Sequence, residues 1–301
     1  MTFSLIRVFL ACALFLVMSI SGSFSANAVT YQEYEAAVAE NNKITIKGLD
    51  RGDGKDLNGR LYKPSGDGPF PAIIALHGAG GIFPYQLWWA KEISKWGFVV
   101  LFVDNYCTRG LLCVHHTDDQ DRRRGEIMRT WQTVSLRQRV LDAVAAYKFL
   151  FSKSYVNKEA IGLIGWSWGG TSALFAQKVA KRFNLPKGGF KGTIAFYPNL
   201  KYVMKHKDWT GTGKINQPTL ILYGESDALE SEESYKELLE DGNLGPITVV
   251  GFKEATRKFD ELGESRMKFH PAVGEFEKAF HRPSFELSVK KVHKFLDETF
   301  K

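Results

Sequence analysis

Cysteine is scarce in this chain. Only Cys12, Cys107 and Cys113 occur among 301 residues, too few for a disulfide-stapled scaffold. No second pair of Cys or His stands at ligand spacing beside them, so no metal site is expected. Long apolar runs are scarcer still. The longest is a thirteen-residue, mostly apolar stretch from Val8 to Ile20, short of the roughly 20 residues that a bilayer-spanning helix needs. Arg7 precedes it, and a Ser/Gly stretch ending in Ala26-Asn27-Ala28 follows. Residues 1–28 therefore read as a secretory signal peptide cleaved after Ala28, which implies export to the periplasm or beyond and no stable membrane anchor afterwards. In that oxidising setting Cys107 and Cys113 form either a small-loop disulfide or two buried free thiols.

A strong charge bias is also missing. Forty Lys and Arg against 33 Asp and Glu leave a formal +7, lowered to +6 when Arg7 goes with the leader. The densest basic cluster, Arg122-Arg123-Arg124, follows Asp118, Asp119 and Asp121 and reads as a solvated loop, so no nucleic-acid partner is expected. No Pro/Ser linker, repeat or low-complexity tract divides the remainder. Residues 29–301 are read as one domain, long enough for a large α/β core.

What is present is an alternation. Ile44 to Lys47 and Leu57 to Tyr62, separated by the turn-rich Asp50-Arg51-Gly52-Asp53-Gly54, predict an N-terminal antiparallel hairpin. Pro71 to Leu76, Phe98 to Val103, Ala160 to Ile164, Gly192 to Phe196, Thr219 to Tyr223 and Ile247 to Phe252 are short apolar runs of the kind that a sheet buried on both faces demands. Between and after them lie helical patterns at Gln86 to Lys95, Met128 to Phe151, Ser172 to Lys181, Glu232 to Glu240 and Pro283 to Phe300, with a polar loop from Lys201 to Lys214. The expectation is a doubly wound, mostly parallel sheet with functional residues at the carboxyl ends of its strands.

One such end is Gly165-Trp166-Ser167-Trp168-Gly169-Gly170, a match to GxSxG. A sharp strand-to-helix turn strains the serine backbone and leaves no room for side chains two residues to either side, hence the glycines. The pentapeptide alone is weak evidence, but its neighbours strengthen it. Asp227 follows the strand Thr219 to Tyr223, in the order nucleophile then acid; its alternative reading is a helix-capping turn aspartate. His77-Gly78-Ala79-Gly80-Gly81 ends an earlier strand, and the backbone N–H groups of Ala79 and Trp168 are candidate oxyanion donors. His77 precedes the serine and is read as structural.

AIIALHGAGG, VVLFVDNYCTRGLLCV, LRQRVLDAVAAYKFL, GLIGWSWGG and TLILYGESDAL resemble, in order, the dienelactone hydrolase family of α/β-hydrolases in its secreted branch, over about residues 58 to 297. The resemblance implies an α/β-hydrolase fold, a serine nucleophile where many members carry cysteine, a small ester or lactone substrate, and no cofactor. It makes Arg109 a structural or pocket-shaping residue. It also exposes a departure. The family's catalytic histidine follows the last strand, and there this sequence reads Phe252-Lys253-Glu254-Ala255-Thr256-Arg257-Lys258-Phe259-Asp260. Arginine stands in the histidine's place and cannot act as a base.

Two readings follow. In one, a relocated histidine serves Ser167 and Asp227, with His270 ahead of His281, His115 and His116, while His293 reads as a flank of its helix and His206 has no assigned role. In the other, the fold and pocket persist without turnover, Arg257 clamping a ligand such as a carboxylate. Trp88, Trp89, Trp166, Trp168 and Trp209 are candidates for an aromatic pocket or for core packing.

Overall fold

The computed structural model describes residues 30–40, 42–111, 125, 128–130, 132–205, 216–240, 245–270 and 273–301. The proposed leader, Cys113, His115, His116, the Arg122 to Arg124 cluster, His206 and Trp209 lie outside them.

Among the described residues eight strands form one sheet: β1 Lys43–Ile46, β2 Leu57–Tyr62, β3 Phe70–Leu76, β4 Val99–Asp104, β5 Val156–Trp166, β6 Thr193–Phe196, β7 Thr219–Gly224 and β8 Ile247–Phe252, in the order β1-β2-β4-β3-β5-β6-β7-β8. The β1–β2 and β2–β4 pairs are antiparallel, and the pairings from β4 through β8 are all parallel. The expected α/β-hydrolase architecture and its N-terminal hairpin are both present.

Helices cover both faces. Alternate residues of β3 divide between two cores: Ala72, Ile74 and Leu76 pack with α3 (Leu136–Phe151) and α4 (Trp168–Val179). Ile73 and Ala75 face the opposite layer, with α2 (Pro84–Lys95) and the closing helix at Arg282–Phe300. Each Ile or Leu among them, fully buried, contributes about 1.5–3 kcal/mol. Two-sided burial is why these strands are continuously apolar instead of alternating.

Some expectations shift. The helix expected to run unbroken from Met128 to Phe151 is interrupted at Val134-Ser135, and α3 starts at Leu136 because the Ser135 side chain accepts the Gln138 N–H at 3.2 Å and so caps it. A helix at Tyr31–Ala39 (α1), closed by a Thr30–Glu33 capping box, was not anticipated. Part of the expected loop after β6 is a short helix, α5, at Leu200–Lys205. After β7 comes α6, Glu232–Glu240, as expected. Beyond β8 a separate antiparallel hairpin pairs β9 (Arg266–His270) with β10 (Gly274–Lys278) before the closing helix, α7. Among the described residues no helix is long and apolar enough to cross a membrane.

Candidate active site

The parallel register sets the site. Leu76 pairs with Gly165, Trp166 with Phe196, and Phe196 with Leu222, so the chain segments leaving β3, β5, β6 and β7 emerge along one sheet edge. Ser167 stands there between β5 and α4 with φ 54° and ψ −119°, a conformation that side-chain-bearing residues rarely adopt. Its N–H donates to Phe196 O at 2.8 Å, and its carbonyl accepts the Thr171 N–H at 3.0 Å. A Cβ on Gly165 would sit 2.3 Å from Gly169 O, and one on Gly169 would sit 2.0 Å from Leu76 O. Backbone packing therefore enforces both glycines of the motif.

The His77 loop lies alongside. A Cβ on Gly78 would come within 3.5 Å of the Ser167 Cβ, so the segment carrying Ala79 abuts the elbow. His77 itself is buried: Nδ1 lies 2.7 Å from Gly78 O and Nε2 accepts the Asn105 N–H at 3.1 Å. With both ring nitrogens committed, its structural reading stands.

Asp227 is buried beyond β7. Its Oδ1 accepts the Leu229 N–H at 2.9 Å, and its Oδ2 accepts from Arg257 Nη1 at 2.6 Å. Arg257, 4% exposed, completes the arrangement: Nη2 donates to Ser167 Oγ at 3.0 Å and to Tyr197 O at 2.7 Å. Burial opposes the guanidinium charge, but Asp227 together with Tyr235 and Tyr197 holds the group above its ordinary value. The three side chains thus form a continuous row, serine to guanidinium to carboxylate.

The histidines divide. His270 lies on β9, its backbone opposite Gly274, and its side chain is outside the described residues. His281 precedes α7, with Nδ1 2.6 Å from Ser284 Oγ, and His293 packs on Trp96 with ring centroids 4.6 Å apart. Neither hydrogen bonds to Ser167 or Asp227.

Arg109 is a strut. It bonds both carboxylate oxygens of Asp142, at 2.8 and 3.0 Å, both of Asp53, at 2.7 and 3.0 Å, and Asn105 O at 2.6 Å. Cys107 is disulfide-bonded, which removes its free-thiol reading. Trp88, Trp89 and Trp166 belong to the core, whereas Trp168 is half-buried and packs edge-on to Tyr202. No cluster of His, Cys, Asp or Glu among the described residues is arranged to hold a metal ion.

Sequence reasoning missed three buried polar side chains. Arg139 on α3 donates to His77 O and, at 3.0 Å, to Ser172 Oγ, tying the glycine loop to the helix behind the elbow. Asp260 accepts from Trp166 Nε1 at 2.9 Å, Trp89 Nε1 at 3.2 Å and the Tyr197 hydroxyl at 2.7 Å. Burial pushes its carboxyl up to about 6 against the lowering effect of the Tyr197 and Trp166 bonds. Glu230, 2% exposed, sits three residues past Asp227. Only Asp260 carried a sequence signal, as the polar residue closing the Phe259-Asp260 end of the departing segment.

A mostly parallel sheet, helices on both faces and a strained serine at a strand-to-helix elbow define an α/β-hydrolase fold. More narrowly, the chain belongs to the dienelactone hydrolase family, whose model matches residues 57–262. Among solved structures it resembles a dienelactone hydrolase-like promiscuous phosphotriesterase from metagenomic libraries, with TM-score 0.63 and 16% identity, covering 86% of this chain and 98% of that one. It likewise resembles Est1E from Butyrivibrio proteoclasticus, with TM-score 0.56 and 15% identity over 86% and 98% of the two chains. These likenesses concern the fold. Curated relatives include Lipase 1 of Moraxella sp. (strain TA144), 24% identical over 209 residues, 67% of this chain and 54% of the relative. A probable 2-oxo-3-(5-oxofuran-2-ylidene)propanoate lactonase of Bradyrhizobium sp is 27% identical over 144 residues, 47% and 51% of the two chains. The chain thus spans about half the length of the curated relatives it matches. Family membership supports hydrolase chemistry.

Proposed function

We propose that this chain is an exported member of the family whose Ser167 pocket binds a neutral carboxylic ester or lactone, and that Arg257 stands where the family's histidine would act. Turnover is then confined to the residual rate that substrate positioning and an oxyanion hole supply. The observation that carries this reading is the guanidinium between Ser167 Oγ, at 3.0 Å, and Asp227 Oδ2, at 2.6 Å.

Serine attack on an acyl carbon requires something to take the hydroxyl proton, and a guanidinium cannot. The amides of Ala79 and Trp168 remain suited to hold the carbonyl oxygen, and Ser167 can donate its hydroxyl hydrogen to a ligand. Serine hydrolases lacking a triad member keep about 10³–10⁴-fold acceleration over water from such features alone. Asp227 balances the guanidinium instead of orienting an imidazole. An anionic ligand would therefore meet no net positive charge there, which favours a neutral carbonyl compound over the carboxylate clamp.

A second reading has its own support. The positive φ of Ser167 costs on the order of 1–3 kcal/mol, strain that a working nucleophile would explain. In that reading Ser167 is the nucleophile of an active esterase, Asp227 its acid and His270 its base, delivered from the β9–β10 hairpin.

Hydrolysis of p-nitrophenyl acetate separates the two. We expect wild type and Ser167→Ala to agree within about tenfold, His270→Ala to match wild type, and Arg257→His to gain about 10²-fold or more, the usual worth of a positioned base. A fast wild-type rate abolished by either Ser167→Ala or His270→Ala would replace the first reading with the second.

A further inference from the structure

We propose that Arg139 is a positioning residue for the oxyanion hole, holding the Ala79 and Trp168 amides in place relative to each other through one guanidinium. Arg139, fully buried in the first turn of α3, donates through Nη2 to His77 O and through Nε to Ser172 Oγ at 3.0 Å. Its two acceptors lie on the two segments that carry the amides. His77 O is two residues before Ala79, and the Ser172 hydroxyl in turn donates to Trp168 O at 2.7 Å. The segments also touch: a Cβ on Gly169 would sit 2.5 Å from His77 O. The glycine loop has a further anchor in Thr130, whose hydroxyl donates to Ala79 O at 3.4 Å.

The charge of Arg139 is not neutralised by a bonded carboxylate. Arg109 and Arg257 each hold an aspartate, whereas among the described residues no carboxylate lies within ion-pair distance of Arg139, and its Nη1 has no hydrogen-bond partner. Burial pushes the Asp104 carboxyl up, while the Cys107 and Tyr106 N–H groups, Arg109 and Arg139 pull it down. Its Oδ1 nevertheless bonds those two N–H groups, at 2.9 Å each, and not Arg139. The face of the Tyr106 ring lies 5.3 Å from the Arg139 guanidinium carbon. A buried cation with only neutral bonding partners is costly, and its field reaches further in a dry interior than in water. Negative charge arises beside it when an acyl carbon at Ser167 turns tetrahedral. Arg139 should therefore favour a tetrahedral anion over a neutral carbonyl compound, both by placing the two amides and by its charge.

This inference rests on the reading above that these amides form an oxyanion hole, but its test needs neither a base nor turnover, so the two can fail separately. Phenylboronic acid is titrated into the full-length protein and followed by ¹¹B NMR. Boron accepts the Ser167 oxygen, the hydroxyl proton passes to solvent, and the adduct is tetrahedral and anionic. Acetophenone, a neutral carbonyl compound, is followed in parallel by saturation-transfer NMR. Wild type should show the tetrahedral signal and Ser167→Ala should lose it. Arg139→Met should weaken the boronate at least about tenfold more than acetophenone, since a misplacement of about 1 Å at a reacting centre costs up to about 10²-fold. Arg139→Lys, which keeps the charge, should recover part of that loss. Should Arg139→Met fail to fold, Ser172→Ala severs the other arm of the bridge and should show the same selective loss. If acetophenone binds no variant, the ester-pocket reading fails and the boronate comparison with Arg139→Lys decides this one. No tetrahedral signal in wild type, a signal that survives Ser167→Ala, a selective loss smaller than expected, or an Arg139→Lys no better than Arg139→Met would overturn the proposal.

Discussion

Arg257 Nη2 lies 3.0 Å from Ser167 Oγ while Nη1 of the same side chain lies 2.6 Å from Asp227 Oδ2. One planar group therefore spans a distance that an imidazole bridges in a serine hydrolase, donating at both ends where an imidazole would accept at one.

The Asp227–Arg257 pair is buried on both sides, so truncating one partner strands the other. Arg257→Met is expected to cost about 3–5 kcal/mol of unfolding free energy, and adding Asp227→Asn should recover much of it. Urea denaturation of the two single variants and the double variant measures this, and additive losses would show that the pair is not coupled.

The elbow glycines should tolerate nothing larger. A Cβ at Gly169 meets the Leu76 carbonyl oxygen at 2.0 Å, and one at Gly165 meets the Gly169 carbonyl oxygen at 2.3 Å. The obstruction is backbone in both cases and cannot rotate away. Gly169→Ala and Gly165→Ala should each destabilise by about 3 kcal/mol or more, beyond the usual range for overpacking. Thermal unfolding would test this, and a near-wild-type midpoint would contradict it.

Asp260 should give stability an acid-side slope. Its carboxyl is raised by burial from 3.8 to about 6, so the folded chain binds this proton more tightly than the unfolded chain. The contribution is fully present below about pH 4 and is lost as pH rises through about 6. Asp260→Asn should remove a pH-dependent difference on the order of 3 kcal/mol between pH 4 and pH 7, read by urea titration at both values.

Glu261 should act with the opposite sign. Despite its burial, Lys258 and Lys278 hold its carboxyl down at about 2. Its contribution is present above about pH 4.5 and fades as pH falls towards 2. Lys278 lies 2.9 Å from Glu261 Oε1 and is itself buried, so Glu261→Gln also leaves that ammonium without its carboxylate. The variant should lose about 3–5 kcal/mol at neutral pH, and less in acid, where the wild-type group is protonated.

Much of the fold was legible because two-sided burial writes itself as apolar runs. Phe98 to Val103 and Thr219 to Tyr223 could be placed within a residue or two, since helices cover both faces of these strands and nearly all their side chains are apolar. The break before α3 was less visible: Ser135 caps Gln138 through a single hydroxyl, and the apolar spacing runs straight across it. The β9–β10 hairpin, read as Arg-Met-Lys-Phe-His and Gly-Glu-Phe-Glu-Lys, is too short and too charged in sequence to stand out as strands.

The chain's own letters determined the elbow, because a serine flanked by glycines at that strand end has few backbone solutions, and they determined that no histidine stands between Phe252 and His270. They could not determine what Arg257 touches. Its contacts to Ser167 and Asp227 join residues 90 and 30 positions apart, and only the packing of β5, β7 and the loop after β8 along one sheet edge brings them together. The same holds for Glu230, an acidic residue of no pattern, and for the burial of Asp260, which its place beside Phe259 does not reveal. Desolvation is a property of the assembled interior, and no linear sequence records it.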